Sequence, residues 1–320
     1  QNGMSAKAQS DTKKMIHHSP LDACAETGVW FPMGIDGDFP EDQRIADGQS
    51  LCFDMETQTE PAEILGHPQL KLEISVNQPL ALVAARLCDV SPQGDSLLVS
   101  WGLFNLCHHR SHENPEPLIP NQKIQVEFPL RACAHRLLPG HRWRLSLSTS
   151  CFPHAWPSPK LVELQVHPGN NTFLTLPVRE KNDSQTPRFE PAESSIPLDN
   201  IILDQARRNR VVSRNAANGK TVLEDQNHSG RVLFQDSGLE MEDKASDRLE
   251  ITKDHPLSMI TECRRTASIG RGDWQTRIET KSRMTSDEMN FYLENHLEAY
   301  ENDHVVFQKS WKTSVPRSFV

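Results

Sequence analysis

The pattern that most constrains this chain is strict two-residue alternation. In QLKLEISV, Leu70, Leu72, Ile74 and Val76 share one side, while Gln69, Lys71, Glu73 and Ser75 share the other. KIQVEFPL repeats the scheme with Ile124, Val126, Phe128 and Leu130. Successive strand side chains point to opposite faces, so this period builds a half-buried strand and fits no helix. ALVAARLCDV (81–90) and SLLVSWGLFNLC (96–107) are apolar on both faces for much of their length, which marks central strands covered on both sides. SPQGD between them has the composition of a turn. KLVELQVH and TFLTLPV flank HPGNN and read as another hairpin. Helical periodicity is almost absent from 50 to 178. Strands at this spacing, punctuated by Pro and Gly, predict a mainly β chain that begins with a jelly-roll β-sandwich.

Composition shifts divide the chain. Residues 1–20 are polar and are expected to form a disordered lead. Residues 21–50 hold Trp30, Phe31 and Phe39 among several Gly and Pro, an irregular but anchored entry to a sandwich that ends at 179. The stretch 180–200 is polar, carries three prolines and reads as a linker. Residues 201–320 read as a second, antiparallel region, a meander of about six to eight strands. Its turn signals are Asn218-Gly219, a two-residue hairpin signature, then Gly270-Arg271-Gly272, and Glu301–His304. MTSDEMN (284–290) fits a short helix or a turn equally. No fixed-period repeat runs through either half.

The net charge of −9 argues against nucleic acid or an anionic membrane as partner. The pairs Arg207-Arg208 and Arg264-Arg265 read as solvated faces. Seven cysteines, Cys24, Cys52, Cys88, Cys107, Cys133, Cys151 and Cys263, are an odd number with no C-x-x-C pair. That argues against a disulfide framework or a zinc ribbon and for a reduced, cytoplasmic chain. No apolar run approaches the roughly 20 residues of a membrane helix, and the first residues contain no apolar signal core. The chain opens on Gln1 rather than Met, as a fragment or a processed product does.

A hydrolase nucleophile elbow needs G-x-S-x-G. Gly48-Gln49-Ser50 and Gly94-Asp95-Ser96 both lack the second glycine and precede strands. His108, His109 and His112 are dense, but consecutive strand residues face opposite ways, so they read as loop histidines without a metal. His135 and His141 flank a Leu-Leu-Pro-Gly turn and are expected to pin it by hydrogen bonds. Trp101 and Trp143 sit at core-facing strand positions, and the cysteines read as buried thiols. Trp156 lies in a loop, where an exposed aromatic could stack on a sugar. No phosphate loop, dinucleotide fingerprint or EF-hand is present. The residues thus give no catalytic, cofactor or metal set.

Several stretches together resemble the C-terminal region of the X-Pro dipeptidyl-peptidase and cocaine-esterase-like (CocE/NonD) hydrolases. They are DQRIADGQSLCFD (42–54), EILGHPQLKLEIS (63–75), ARLCDVSPQGDS (85–96) and AHRLLPGHRWRLSLSTSCFP (134–153). The carriers are Gly66 and Pro68; then Leu87, Asp89, Val90, Pro92 and Gly94; then Gly140, His141, Arg142, Arg144 and Leu145. The resemblance implies a galactose-binding-like jelly roll that packs on an α/β-hydrolase domain, shapes its cleft and can serve a homo-oligomer interface. The Ser-Asp-His triad of such enzymes belongs to that hydrolase domain, which nothing here matches, so no triad position transfers. Arg142 and Arg144 are expected to pair with carboxylates on neighbouring strands or on the partner. Two other readings stand beside this one: a free-standing carbohydrate- or ligand-binding module with Trp156 as its aromatic, and an inactive gene fragment.

Overall fold

The computed structural model describes residues 15–35, 37–179 and 188–320. Its elements are β1 (Met15–His18), α1 (Arg44–Gly48), β2 (Leu51–Asp54), β3 (Ala62–Gly66), β4 (Gln69–Val76), β5 (Leu82–Val90), β6 (Ser96–Asn105), β7 (Ile124–Pro129), β8 (Cys133–Leu137), β9 (Arg142–Ser148), β10 (Glu163–Val166) and β11 (Phe173–Thr175). There follow β12 (Asn200–Asp204), β13 (Arg207–Asn215), β14 (Lys220–Phe234), β15 (Leu239–Thr252), β16 (His255–Arg271), β17 (Trp274–Ser286), β18 (Asn290–Glu301) and β19 (His304–Pro316). The chain is mainly β, as the alternation requires. It divides into a first unit, Gln1–Asn182 with Thr252–Leu257 and Arg317–Val320, and a second unit, Asp183–Ile251 with Ser258–Pro316. Among the described residues no helix is long and apolar enough to cross a membrane.

The first unit is a sandwich. One sheet runs β1-β10-β4-β11 with β7 on the other edge of β4, the second runs β2-β9-β5-β6, and β3 pairs with β8. The apolar side of β4 (Leu70, Leu72, Ile74, Val76) meets Val83, Ala85 and Leu87 of β5 and Trp143, Leu145 and Leu147 of β9 in one core. Each fully buried Leu or Ile contributes about 1.5–3 kcal/mol. β5 is buried along nearly its whole length. Its other face (Ala84, Arg86, Cys88) is covered by the irregular entry segment, which is tied down by Gln43 N–H to Ser96 O (2.8 Å) and Phe152 N–H to Ala23 O (2.7 Å).

Several expectations are corrected. β6 is an edge strand, not a central one, because the sheet ends there. β10 and β11 form no hairpin. Both run antiparallel to β4, β10 along Ile74–Val76 and β11 along Gln69–Lys71. They are two pieces of one broken strand, and Pro168-Gly169 loops out between them. Thr172 holds the break, its hydroxyl donating to His167 O (2.9 Å) and accepting from Glu73 N–H (3.0 Å). Within the stretch expected to be a disordered lead, Met15–His18 pair with β10, while residues 1–14 lie outside the described residues. Of the stretch read as a linker, 180–187 also lie outside them.

The second unit is one eight-stranded antiparallel sheet in the order β12-β14-β15-β16-β17-β18-β19, with β13 on β14. Asn218-Gly219 belongs to a four-residue loop rather than a two-residue one, since Asn215 pairs with Lys220. Gly219 N–H closes that loop on Asn215 O (2.9 Å) with Gly219 at φ +68°. The MTSDEMN stretch is the end of β17, a turn at 287–289 and the start of β18: Asp287 Oδ1 accepts both Met289 N–H and Asn290 N–H at 2.7 Å. In the last three strands the cross-strand row Ile278–Ala299–Phe307 is apolar and the adjacent row Glu279–Glu298–Gln308 is polar, while rows such as Ser282–Asn295–Trp311 are mixed. Phe307, Trp311 and Val315 of β19 remain exposed.

Candidate functional site

The densest chemistry of the first unit lies under α1, on the face of β5 and β9 away from the core. A charge in the middle of a doubly covered strand must be paired. Arg86 is 1% exposed, and its guanidinium donates to Gln43 Oε1 (2.9 Å) and Ser50 Oγ (3.0 Å) and lies 3.1 Å from Asp47 Oδ1. Asp47 also accepts from Ser96 Oγ (2.7 Å), Ser146 Oγ (2.9 Å) and Arg144 (3.2 Å). Its carboxylate thereby joins β5, β6 and β9. α1 is a single turn whose Gln43 makes no side-chain cap, so burial of Ala46 and Asp47 holds it in place rather than helix propensity.

Arg144 continues the chain of charges to Asp54, its direct partner on β2, which also accepts from Arg142 at 2.9 Å. The Arg144 hydrogen bonds, with those of Arg142 behind them, hold the Asp54 carboxyl below the usual carboxylate range. Both arginines thus pair with a carboxylate on the neighbouring strand, on the face opposite Trp143.

At the end of β5, Asp89 is buried and clamped by two imidazoles. His141 Nδ1 donates to Oδ1 at 2.7 Å and His135 Nε2 donates to Oδ2 at 2.8 Å. These bonds tie the β8–β9 turn to β5, the pinning role read from the sequence. Gly140, at φ +85°, donates to Gln58 O (2.8 Å), and a Cβ there would stand 3.2 Å from Pro92. The turn of Gly140 therefore rests on the turn of Pro92 and Gly94, which has φ +93°. Gly66 ends β3 at φ +132° beside Pro177, and Pro68 O accepts Leu130 N–H at 2.8 Å. Asp89, Gly94, Gly140 and His141 thus meet at one end of the sandwich, Arg142 and Arg144 line the adjoining face, and Gly66 and Pro68 serve another junction.

Trp156 is half-buried and lines a cleft of about 240 Å³ with Leu103, Phe104, Asn105 and Phe319. Asn105 Nδ2 is spent on Phe319 O (2.8 Å), so the walls are apolar where a sugar needs polar partners. Ser50 Oγ donates to Ala46 O (2.7 Å) and Ser96 Oγ to Asp47, so neither elbow candidate faces a histidine base in these bonds. His109 Nδ1 bonds Leu106 O (2.9 Å), and the rings of His108 and His112 stand 5.4 Å apart. All seven cysteines are free thiols. Burial pushes Cys88 up to about 12 and Cys263 up to about 11, which keeps them protonated and unreactive.

Serine meets histidine at Ser75 Oγ, 2.9 Å from His167 Nε2, where both side chains are buried away from any substrate. In the second unit Ser310 Oγ lies 2.8 Å from His296 Nδ1, and His296 Nε2 lies 3.3 Å from Glu298. Ser310 and His296 are direct cross-strand partners on an open sheet face. Ser310 is exposed, whereas oxyanion stabilisation needs donors preorganised in a water-excluded site. Three groups in hydrogen-bond order are not a reaction centre without such walls. The sequence hid this trio because only the β18–β19 register brings it together. It also hid Asp47, although Arg86 in an apolar strand signalled that a buried acid had to exist.

The model of the X-Pro dipeptidyl-peptidase C-terminal non-catalytic domain matches residues 2–213, more than half of the chain. The chain belongs to that family. This X-Pro dipeptidyl-peptidase C-terminal domain is the non-catalytic part of CocE/NonD-type hydrolases. It is 29% identical over 140 residues to the cocaine esterase of Rhodococcus sp. (strain MB1 Bresler), covering 42% of this chain and 24% of the esterase. It therefore spans about a quarter of that relative's length. Among solved structures, an α-amino acid ester hydrolase is similar with 24% identity and a TM-score of 0.46, over 54% of this chain and 33% of that one. An aminopeptidase from a marine-sediment Thaumarchaeota archaeon gives 18% and 0.46, over 54% and 35%. A CocE/NonD family hydrolase from Staphylococcus aureus gives 16% and 0.37, over 42% and 31%.

Proposed function

We propose that this chain is a docking module that packs on an α/β-hydrolase domain and shapes its substrate cleft, the hydrolase supplying the nucleophile. The observation that carries this reading is a run of exposed apolar side chains in the entry segment: Trp30, Phe31, Met33, Ile35 and Phe39. Phe31, Met33 and Phe39 are 69%, 74% and 63% exposed. Large contiguous apolar exposure marks an interaction surface. The segment is held rather than frayed. Asp38 Oδ2 accepts Met33 N–H (2.7 Å), Val29 N–H donates to Asp38 O (3.0 Å), and the Arg131 guanidinium lies over the Trp30 ring. The reaction, by this reading, is the ester or X-Pro dipeptide hydrolysis of the family, performed outside this chain. The uncovered apolar row of β17–β19 supports self-association as a second contact.

The test is sedimentation velocity of the chain alone and mixed with an α/β-hydrolase domain of the family from the same genome. A 1:1 complex is expected, weakened at least about tenfold by Phe31→Ser with Phe39→Ser, because two buried aromatics are worth well over the 1.4 kcal/mol of a tenfold change. The variant is expected to unfold at the unaltered temperature, since those rings already face water. A complex of undiminished strength would remove the entry segment as the docking surface.

A further inference from the structure

We propose that Asp204, His228 and Glu242, all in the second unit, form a binding site for one first-row divalent cation of the zinc type. The three offer one donor atom each, all within 4.8 Å of one another. The backbone brings them together deliberately. The β12–β14 ladder shifts register between Ile202 and Asp204. Gly230 on β14 sits at φ +86°, and a Cβ there would stand 2.8 Å from Asp204 O, so only glycine lets that strand end come in.

The histidine carries the argument. Its side chain is 6% exposed. Its Nε2 lies 2.7 Å from Glu242 Oε1. A carboxylate only accepts, so Nε2 holds the proton, and in the neutral ring Nδ1 bears a bare lone pair. That Nδ1 is buried and has no hydrogen-bond partner among the described residues. It faces Asp204 Oδ2 at 3.6 Å. This is too long for a hydrogen bond, so the buried nitrogen faces the oxygen of a half-exposed carboxylate with neither a proton nor a cation between the two atoms. The spacing suits a shared metal: two ligands each about 2.0–2.2 Å from one zinc, subtending about 120°, stand about 3.6 Å apart. Glu242 then does what outer carboxylates do for ligating histidines, fixing the tautomer and the ring plane. With Nδ1 and Asp204 as the protein ligands, water completes the coordination.

Among the described residues, the other charges facing this place include Arg207 on Asp204 (3.0 Å) and Lys244 on Glu242 (3.0 Å), while Arg208, which lines the adjoining cleft, is paired with Asp225 (2.9 Å). Arg207 and Lys244 are about half exposed or more, so their pairs are weak and free to swing out. A cleft of about 290 Å³ lined by Arg207, Asn227, His228, Lys244 and Ser246 gives a route in.

The competing occupant of the same space is a proton, which would make His228 an imidazolium between two acids. Zinc titration by calorimetry, on the full, untagged, chelator-treated chain at pH 7.5, separates them. The expected result is one zinc equivalent that is lost in His228→Gln and in Asp204→Asn, with Glu242→Gln binding about tenfold more weakly. Asp204→Asn is the safeguard against misfolding, because Asp204 is exposed and the His228–Glu242 bond survives it. Any zinc held elsewhere on the chain cancels in the difference. Equal zinc uptake by the unaltered chain and Asp204→Asn would overturn the site in favour of the proton.

Discussion

Replacing Asp47 with alanine is expected to lower the unfolding free energy of the first unit by about 3–5 kcal/mol, the cost of removing one partner of a buried ion pair. The size follows from what stays behind. Arg86 is 1% exposed and, among the described residues, keeps Gln43 and Ser50 alone, while Ser96 Oγ and Ser146 Oγ lose their acceptor. Arg144 still has Asp54, so its share of the loss is small. The value of the pair is thus the penalty for breaking it rather than a net gain from having it. The double change Asp47→Leu with Arg86→Met tests this distinction, since replacing both charges by apolar groups is often neutral or stabilising. It is expected to recover part of the single variant's loss. Urea unfolding followed by tryptophan fluorescence gives all three values. A cost for Asp47→Ala below about 1 kcal/mol would mean that water reaches the network.

Trp143→Ala is expected to cost a similar 3–5 kcal/mol, by a different route. Trp143 is fully buried near the start of β9, packed with the β4 and β5 side chains, with its ring centroid 5.6 Å from that of His135. Alanine leaves a cavity that two hydrogen-bonded sheets cannot close. Phe is the informative control. The indole Nε1 is buried without a hydrogen-bond partner among the described residues, so Trp143→Phe forfeits volume and no hydrogen bond. It is expected to cost about 1–2 kcal/mol. Equal losses for Ala and Phe would show that the indole N–H has a partner after all.

Much of the first unit is legible because its strands alternate. Leu70–Val76 and Ile124–Leu130 declare their buried sides residue by residue, and the same rule places Arg142 and Arg144 opposite Trp143. Alternation says which face a side chain takes and nothing about which strand lies beside it. β10 and β11 look like a hairpin for that reason, since a turn composition between two strands does not distinguish a reversal from a bulge. Asn218-Gly219 fails similarly: its left-handed glycine is real, but it closes a four-residue loop. Edge position is invisible too. The apolar run 96–107 owes much of its character to Trp101, which packs under the entry segment with Cys24 and Cys151. Asp47 was out of reach because its partners lie 39 to 99 residues away in β5, β6 and β9. Asp89, Gly94, Gly140 and His141 lie where two turns meet, joined by the His141–Asp89 bond and the close approach of Gly140 to Pro92, and such a junction has no chemical motif to read.

Turnover by the chain itself most directly tests the claim that it supplies surfaces and no reaction centre. The measurement is hydrolysis of a nitrophenyl ester and of an X-Pro nitroanilide by the purified chain, beside Ser75→Ala and Ser310→Ala. Among the described residues, these are serine hydroxyls that a histidine reaches, at 2.9 and 2.8 Å. The account predicts the same rate as buffer for all three proteins. Turnover by the unaltered chain that disappears with either serine would contradict it.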